Sequence, residues 1–269
     1  IMRILPPFCG PLSSDSCRRR FRAVIEEKKK VFKLDTQNTS YIFTISPQGH
    51  PVHIYYGSRL PRADVDALQL KNNITLGSTV DYAPGYNLDS YLWEYSGIGK
   101  GDYRHTPLEC ILPDGSFTTD FVYEGHRISK GGYENDCGLP FAEGGSQTLT
   151  LWFRDQKYRS LRLFLNYTVF CDCDVIARNV ELHNGENGEV TIRKLMSVML
   201  DLPESDYSLL TLNGNWAKEA HIQDASVGYG IHVNDSTVGA SSNRHNPAFL
   251  LKKRGADEEQ GQVMGFNLL

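Results

Sequence analysis

The chain has 269 residues, of which 40% are hydrophobic, and its 28 basic and 32 acidic side chains give a net charge of −4. This length allows one large all-β domain or two joined domains, and without a sustained basic face nucleic acid is not an expected partner. Because no apolar run approaches the roughly 18 to 20 residues of a membrane span, a membrane protein is excluded as well.

The first 22 residues differ in character from the rest. Their short apolar patch is interrupted by Pro6 and Pro7, and arginines follow the patch instead of preceding it, unlike a secretion signal. We expect residues 1–22 to be a poorly ordered or foreign extension, and residues 23–269 to be the folded domain. Without a secretion signal, the six cysteines are expected to be reduced thiols of a cytoplasmic protein.

Short alternating or β-branched segments dominate from residue 31 onward and predict strands. Turn residues at 47–49, 113–115 and 184–188 predict mostly hairpin-like connections. Only residues 63–70, ADVDALQL, have sparse helical periodicity. The pattern predicts an all-β fold, a large antiparallel two-sheet sandwich with few short helices. The expected strands are VFKLDT, SYIFTI, VHIYYG, FTTDFVYEGHRI, SQTLTLWFRD, LRLFLNYTVF, VIARNVELHN, VTIRKLMSVMLDL and GQVMGFNLL.

The sequence CDCD at residues 171–174 links two of the longest predicted strands. The chain has no CxxC pair and no histidines at finger spacing, so a structural zinc site is not expected. Alternation along a strand instead predicts that Cys171 and Cys173 point to the same face as small core residues.

The residues alone do not identify a catalytic site. A glycosidase needs two carboxyl groups about 5 to 10 Å apart, but nothing ranks the many acidic residues at predicted strand ends and turns. GxSxG, GxGxxG and Walker patterns are absent from the sequence. Lys100 lies in the glycine-rich stretch GIGKGDYRH without phosphate-loop spacing. The acidic candidates are Asp81, Asp89, Glu94, Asp102, Asp120, Asp201, Glu204 and Asp206.

Trp216 is the most informative single residue. It follows an apolar run and the turn signal Asn213-Gly214-Asn215, in LLTLNGNWAKEAHIQ at residues 209–223. A tryptophan on a turn can stack on the C–H face of a sugar, or it can plug the end of the sandwich core. The residues leave both interpretations open.

Residues 101–131, GDYRHTPLECILPDGSFTTDFVYEGHRISKG, resemble the N-terminal domain of the α-galactosidases of glycoside hydrolase family 36. Further blocks such as YNLDSYLWEYSGIGKGDYRH, NYTVFCDCDVIARNVELHN and GASSNRHNPAFLL follow in the family's order, so the resemblance covers about residues 23–269. It implies a β-supersandwich that leads into a (β/α)8 barrel and a small C-terminal β-domain. Both catalytic aspartates of the family lie in that barrel, and the reaction retains anomeric configuration. We therefore expect no catalytic residue here, a chain that ends before the barrel, and no metal or nicotinamide cofactor.

The resemblance also implies site residues. Trp216 is expected to shape the galactose pocket at the sandwich edge that faces the barrel. An acidic residue on the loop after the YYG strand is expected to approach the sugar, in some members from a neighbouring subunit. Asp81 is our choice for this role, with Asp64 or Asp66 as alternatives, because the loop departs from better-known members.

Two polar groups within the matching blocks have a structural interpretation. Asp102 and Arg104, next to His105, are expected to form a charge-assisted pair that orders a loop. His245 and Asn246, which precede a proline, are expected to form a capped turn.

The resemblance predicts the accessory domain of a cytoplasmic α-galactosidase that acts on raffinose-type oligosaccharides or melibiose. Its expected partners are the α-galactoside, its own catalytic barrel and further copies in a homotetramer, and the chain alone is expected to be inactive. The alternatives are the same family with α-N-acetylgalactosaminidase or raffinose synthase specificity, and a non-catalytic carbohydrate-binding sandwich.

Overall fold

The computed structural model describes residues 2–5 (backbone), 24–61, 65–69, 80–134, 138, 140–237 and 244–269. Helical structure within these residues is confined to a single turn, α1 (Val65–Leu68), and a 3-10 helix at Leu88–Ser90. The helix predicted over residues 63–70 is confirmed for its central turn. The strands, β1 to β15, are Met2–Leu5, Ile25–Lys28, Val31–Asp35, Thr39–Ile45, Pro51–Ser58, Leu108–Ile111, Phe121–Lys130, Gln147–Asp155, Leu161–Phe170, Val175–Asn184, Thr191–Leu195, Tyr207–Asn215, Lys218–Ser226, His245–Lys253 and Val263–Asn267.

The strands form one large and two smaller antiparallel sheets. The large sheet has nine strands in the order β13-β12-β14-β15-β1-β10-β9-β8-β7, so β13 and β7 are its edges. A second sheet has the order β2-β3-β4-β5, and β11 pairs with β6 in a third. The predicted all-β antiparallel sandwich is therefore confirmed. Within the described residues, no helix is long and apolar enough to span a membrane.

The predicted extension at residues 1–22 overlaps the first strand. Met2–Leu5 pairs with β15 on one side and with β10 on the other. Residues 6–23 lie outside the described part of the chain. The boundary near residue 22 therefore stays a prediction.

The main core lies between the nine-stranded and four-stranded sheets. Along β8 and β9, alternate residues such as Leu151 and Leu165 are buried, and these two are register partners. From the other sheet, Phe43 stacks on Tyr167 with ring centroids 5.2 Å apart, and Phe32 stacks on Phe43 at 5.1 Å. Large aromatic and branched side chains fill the interior because strand alternation sends every second residue inward.

The Cys171 and Cys173 prediction is wrong. Both residues lie in the turn between β9 and β10, where Cys171 is half-buried and Cys173 is exposed. Asp174 holds this turn with φ at 54°, and its carboxylate accepts hydrogen bonds from Thr36 Oγ1 (2.6 Å) and from both the backbone N–H (2.9 Å) and Nδ2 (2.6 Å) of Asn38. Contacts with Thr36 and Asn38 therefore hold residues 171–174 in a turn, and the strand alternation that predicted two buried cysteines does not apply there.

Two of the three predicted turn clusters join strands of different sheets instead of making hairpins. Residues 47–49 do connect the paired strands β4 and β5, with Gly49 at φ 95°. Residues 113–115 lead from β6 to β7, and residues 184–188 lead from β10 to β11, and neither pair of strands is hydrogen-bonded. These crossings carry the chain between layers of the fold.

Candidate functional site

Trp216 lies at the tip of the hairpin that β12 and β13 form. The turn comes slightly later than Asn213-Gly214-Asn215, since β12 continues to Asn215 and Ala217 takes the left-handed conformation at φ 61°. The backbone N–H of Trp216 donates to Asn215 Oδ1 at 2.9 Å. Because the side chain of Trp216 is 87% exposed, the interpretation as a core plug is wrong. The hairpin presents the indole to solvent at the edge of the nine-stranded sheet.

An open cleft of about 700 Å³ lies along the same hairpin. Asn213 links the two strands of the hairpin along this cleft, because its Nδ2 donates to Thr211 Oγ1 (2.9 Å) on β12 and to Gln223 Oε1 (2.7 Å) on β13. Amide, hydroxyl and imidazole groups dominate the lining, and such groups hydrogen-bond neutral hydroxylated ligands. The sequence did not identify these residues as a cleft, because Asn213, Asn215 and His245 were interpreted only as turn residues and the others carry no binding motif. The polar lining comprises Thr211, Asn213, Asn215, Gln223, His232, Asn234, Arg244 and His245.

Asp81 is exposed, whereas its two chain neighbours, Val80 and Tyr82, contact other parts of the fold. The carbonyl oxygen of Val80 lies so close to Gly101 that a Cβ there would be 2.6 Å from it. On the other side, the hydroxyl of Tyr82 donates to Asp120 Oδ2 at 3.0 Å. Burial raises the pKa of Tyr82 to about 12, and the nearby Asp120 carboxylate acts in the same direction, so this hydroxyl remains a donor. The alternative Asp64 and the side chain of Asp66 lie outside the described residues.

The structure does not bring Trp216 and Asp81 together within one chain. Trp216 belongs to the β13 edge of the nine-stranded sheet. The anchor of the Asp81 loop, Asp120, immediately precedes β7, which is the opposite edge.

The predicted pair of Asp102 and Arg104 is confirmed. Arg104 Nε donates to Asp102 Oδ1 at 2.7 Å, and its other nitrogens donate to Asp201 and to the carbonyl oxygens of Leu88 and Tyr91, both at 3.1 Å. Burial raises the pKa of Asp102 above its ordinary value, although the charge of Arg104 opposes this. The guanidinium therefore orders a loop, whereas His105 is exposed.

The prediction of a capped turn at His245 and Asn246 is wrong, because both residues lie within strand β14, although Asn246 does make a local side-chain-to-backbone hydrogen bond. Asn246 Oδ1 accepts a hydrogen bond from the backbone N–H of Ala248 at 3.0 Å, and its carbonyl oxygen accepts one from Asn234 Nδ2 at 2.8 Å. His245 begins β14 and lines the cleft beside the Trp216 hairpin.

A second polar cluster lies inside the core. Glu94 is fully buried, and its carboxylate accepts hydrogen bonds from Tyr41 Oη (2.7 Å), His53 Nδ1 (2.6 Å) and Tyr167 Oη (2.7 Å). Arg178 Nη1 lies 3.5 Å from the same carboxylate. Burial raises the pKa of Glu94, but the Arg178 charge and the hydrogen bonds outweigh it, so the pKa lies below its ordinary value. The buried Glu94 carboxylate is therefore satisfied by hydrogen bonds and by the charge of Arg178.

Within the described residues, no group of three or more His, Cys, Asp and Glu side chains is arranged to hold a metal ion. Several of the acidic candidates are instead engaged by partners in the fold. Glu94 accepts from core hydroxyls, Asp102 and Asp201 bind Arg104, and Asp120 accepts from Tyr82.

Comparison with known proteins agrees with this architecture. The family model described as Glycosyl hydrolase family 36 N-terminal domain matches residues 49–269. The chain is 30% identical over 249 residues to the bifunctional alpha-galactosidase/sucrose kinase AgaSK of Mediterraneibacter gnavus, which covers 90% of this chain and 26% of that protein. It is 32% identical over 259 residues to alpha-galactosidase 1 of Pediococcus pentosaceus, with coverages of 91% and 34%.

Solved structures of α-galactosidases contain the same fold. The enzyme from Lactobacillus brevis superposes with a TM-score of 0.82 at 30% identity, over 88% of this chain and 33% of that one. AgaA from Geobacillus stearothermophilus gives a TM-score of 0.82 at 28% identity, with the same coverages. The chain thus spans about a quarter to a third of the length of these relatives. Sequence and fold together show that the chain belongs to glycosyl hydrolase family 36, with residues 49–269 matching the family's N-terminal domain.

Proposed function

We propose that the chain is the N-terminal accessory domain of an α-galactosidase, a retaining enzyme that releases terminal α-linked galactose from raffinose-type oligosaccharides or melibiose. The match of residues 49–269 to the N-terminal domain of family 36 carries this proposal. The preference for raffinose-type substrates is supported by solved structures of AgaA variants from Geobacillus stearothermophilus in complex with raffinose and with stachyose. Catalysis would then belong to a barrel outside this chain.

The first test is the activity of the chain by itself. Hydrolysis by this family's mechanism needs two carboxyl groups on either side of the glycosidic bond, and the proposal assigns both to the barrel. Purified residues 1–269 are expected to release no galactose from raffinose, melibiose or a chromogenic α-galactoside. Turnover by this chain would overturn the assignment.

Trp216 is the residue that we propose to contact substrate. Its exposed indole offers a flat apolar face for the C–H side of galactose, beside a cleft with hydrogen-bonding side chains. In the full-length enzyme, Trp216→Ala is expected to lower kcat/KM for raffinose about tenfold or more, a loss of at least ~1.4 kcal/mol of binding in the transition state. Tyr103→Ala is the matched control, because Tyr103 is also an exposed aromatic residue, at 66%, but lies on another loop. Equal kcat/KM values for the two variants would contradict the role of Trp216.

We further propose a homotetramer in which Asp81 reaches the pocket of a neighbouring subunit. Its support is that Trp216 lies at the β13 edge of the large sheet whereas Tyr82, next to Asp81, binds Asp120 before the opposite edge strand β7, together with exposed apolar side chains before, on and after β13. Those side chains suit a surface that the barrel or another copy covers. They are Trp216, Ile222, Tyr229, Ile231 and Val233.

Subunit complementation tests this arrangement. Asp81→Asn and Trp216→Ala full-length variants would each be weakly active alone. When the two are mixed, dissociated and reassembled, some pockets receive both native residues if these come from different subunits, and activity rises. Activity that stays at the mean of the two variants would show that both residues act within one subunit, or that Asp81 has no role.

The proposed location is the cytoplasm. Among the described cysteines, Cys110 is buried and Cys171 is half-buried, and neither forms a disulfide. Free thiols within a large β-sandwich are typical of proteins from a reducing compartment.

A further inference from the structure

A small cavity lies beneath the glycine-rich stretch that contains Lys100. Its volume is about 50 Å³, and it lies where this loop packs against the residues that precede β7. Its polar lining comprises the hydroxyl-bearing residues Tyr95, Ser96 and Thr119 together with His50, Asp102 and Asp120. The Tyr95 hydroxyl already donates to the carbonyl oxygen of Met196 at 2.8 Å. The cavity is separate from the Trp216 cleft.

The hydroxyl oxygens of Ser96 and Thr119 are both buried and lack a hydrogen-bond partner within the part of the chain that the structure describes. Thr119 as a whole is only 6% exposed. A buried hydroxyl without a partner costs about 1 to 3 kcal/mol, so two of them on one cavity need an explanation.

The position of the Thr119 hydroxyl is closely determined by its surroundings. The backbone N–H of Thr119 donates to the carbonyl oxygen of Ile98 at 3.2 Å, which fixes the main chain. The hydroxyl oxygen packs against Gly97, where a Cβ would lie 2.2 Å from it. Glycine at position 97 therefore leaves room for the hydroxyl to stay at the cavity.

We infer that this cavity binds an ordered water molecule that bridges the Thr119 and Ser96 hydroxyls. The cavity has room for a water-sized molecule and a polar lining, and buried water typically makes about three hydrogen bonds to such groups. The hydroxyls supply two hydrogen bonds, and the carboxylates of Asp102 and Asp120, which also line the cavity, are acceptors for the water's own protons.

The water would connect the glycine-rich loop to the start of β7. Gly101, at the end of that loop, lies against the carbonyl group of Val80, next to Asp81. Asp120, from the other wall of the cavity, holds Tyr82 on the far side of Asp81. The bound water would therefore lie between two segments that contact the chain neighbours of Asp81.

A double-mutant cycle in the 269-residue chain tests the inference, because a bridging water and unpaired hydroxyls predict opposite changes in melting temperature. Thr119→Val and Ser96→Ala each remove one hydroxyl with little change of shape. If water bridges them, each variant is expected to melt about 2 to 4 °C below the parent. The double variant should lose less than the sum, because either substitution alone already breaks the bridge.

If the hydroxyls are instead unpaired, Thr119→Val removes a destabilising group and raises the melting temperature, and the two effects add. Either result would overturn the inference. Thr118→Val is the control, since Thr118 is the exposed neighbour of Thr119, and it is expected to leave the melting temperature unchanged.

A crystal structure at high resolution supplies an independent measurement. We expect one density peak about 2.7 to 3.0 Å from both Thr119 Oγ1 and Ser96 Oγ. An empty cavity would refute the inference. A peak with several oxygen atoms at about 2.3 to 2.6 Å would indicate a cation instead of water and would refute it as well.

Discussion

Replacing Glu94 with glutamine is expected to destabilise the fold by about 3 to 5 kcal/mol, the usual cost of breaking a buried ion pair. Glutamine keeps the shape of the side chain but removes its charge. Arg178, whose side chain is 3% exposed, then has no buried counter-charge. The new amide NH₂ also faces groups that now donate to the carboxylate, Tyr41, His53 and Tyr167. Both changes destabilise the folded state and leave the unfolded state unaffected.

Urea denaturation measures this loss directly. For a slope of about 3 kcal/mol/M, the expected loss lowers the midpoint by about 1 to 2 M at an unchanged slope. Glu109→Gln is a matched control, because Glu109 pairs with Lys194 on the surface, where ion pairs contribute little. A Glu94→Gln midpoint within about 0.3 M of the parent would refute the reasoning that this carboxylate neutralises Arg178 within the core.

Three further predictions concern pH, backbone strain and the exposed tryptophan. Folding lowers the pKa of Glu94 below its ordinary value of 4.5, so this group stabilises the fold above pH 4.5 and loses that contribution as the pH falls below 4.5. In Glu94→Gln, the urea midpoint should therefore depend less on pH below 4.5 than it does in the parent. Gly101→Ala should cost about 1 to 3 kcal/mol, because Gly101 has φ at 87° and its Cβ would meet the Val80 carbonyl. Gly85→Ala, with φ at 70° and open space, should cost less, and equal midpoints would contradict a steric contact. Trp216→Ala should change the stability of this chain by less than about 0.5 kcal/mol, whereas a large drop in midpoint would show that the indole packs in the fold.

Strands with one buried face could be predicted from the sequence. β8 and β9 alternate between buried and more exposed residues, and a period of two is a local property that the amino-acid order displays directly. β13 was missed because all nine of its residues are exposed, so it carries no such alternation. β6 was missed because it has only four residues. The family resemblance could also be recognised from the sequence alone, because it depends on long blocks of residues in a fixed order.

The roles of individual side chains depended on contacts between distant parts of the chain. The sequence by itself determined the all-β class, most core strands and the family. Only the tertiary structure placed Trp216 in solvent, moved Cys171 and Cys173 into a turn held by Asp174, and paired Glu94 with Arg178. Local periodicity shows which face of a strand is apolar, whereas the partner of the buried Glu94 charge depends on how the loop that carries it packs against β10. That packing brings together residues separated by 84 positions and leaves no pattern in either neighbourhood.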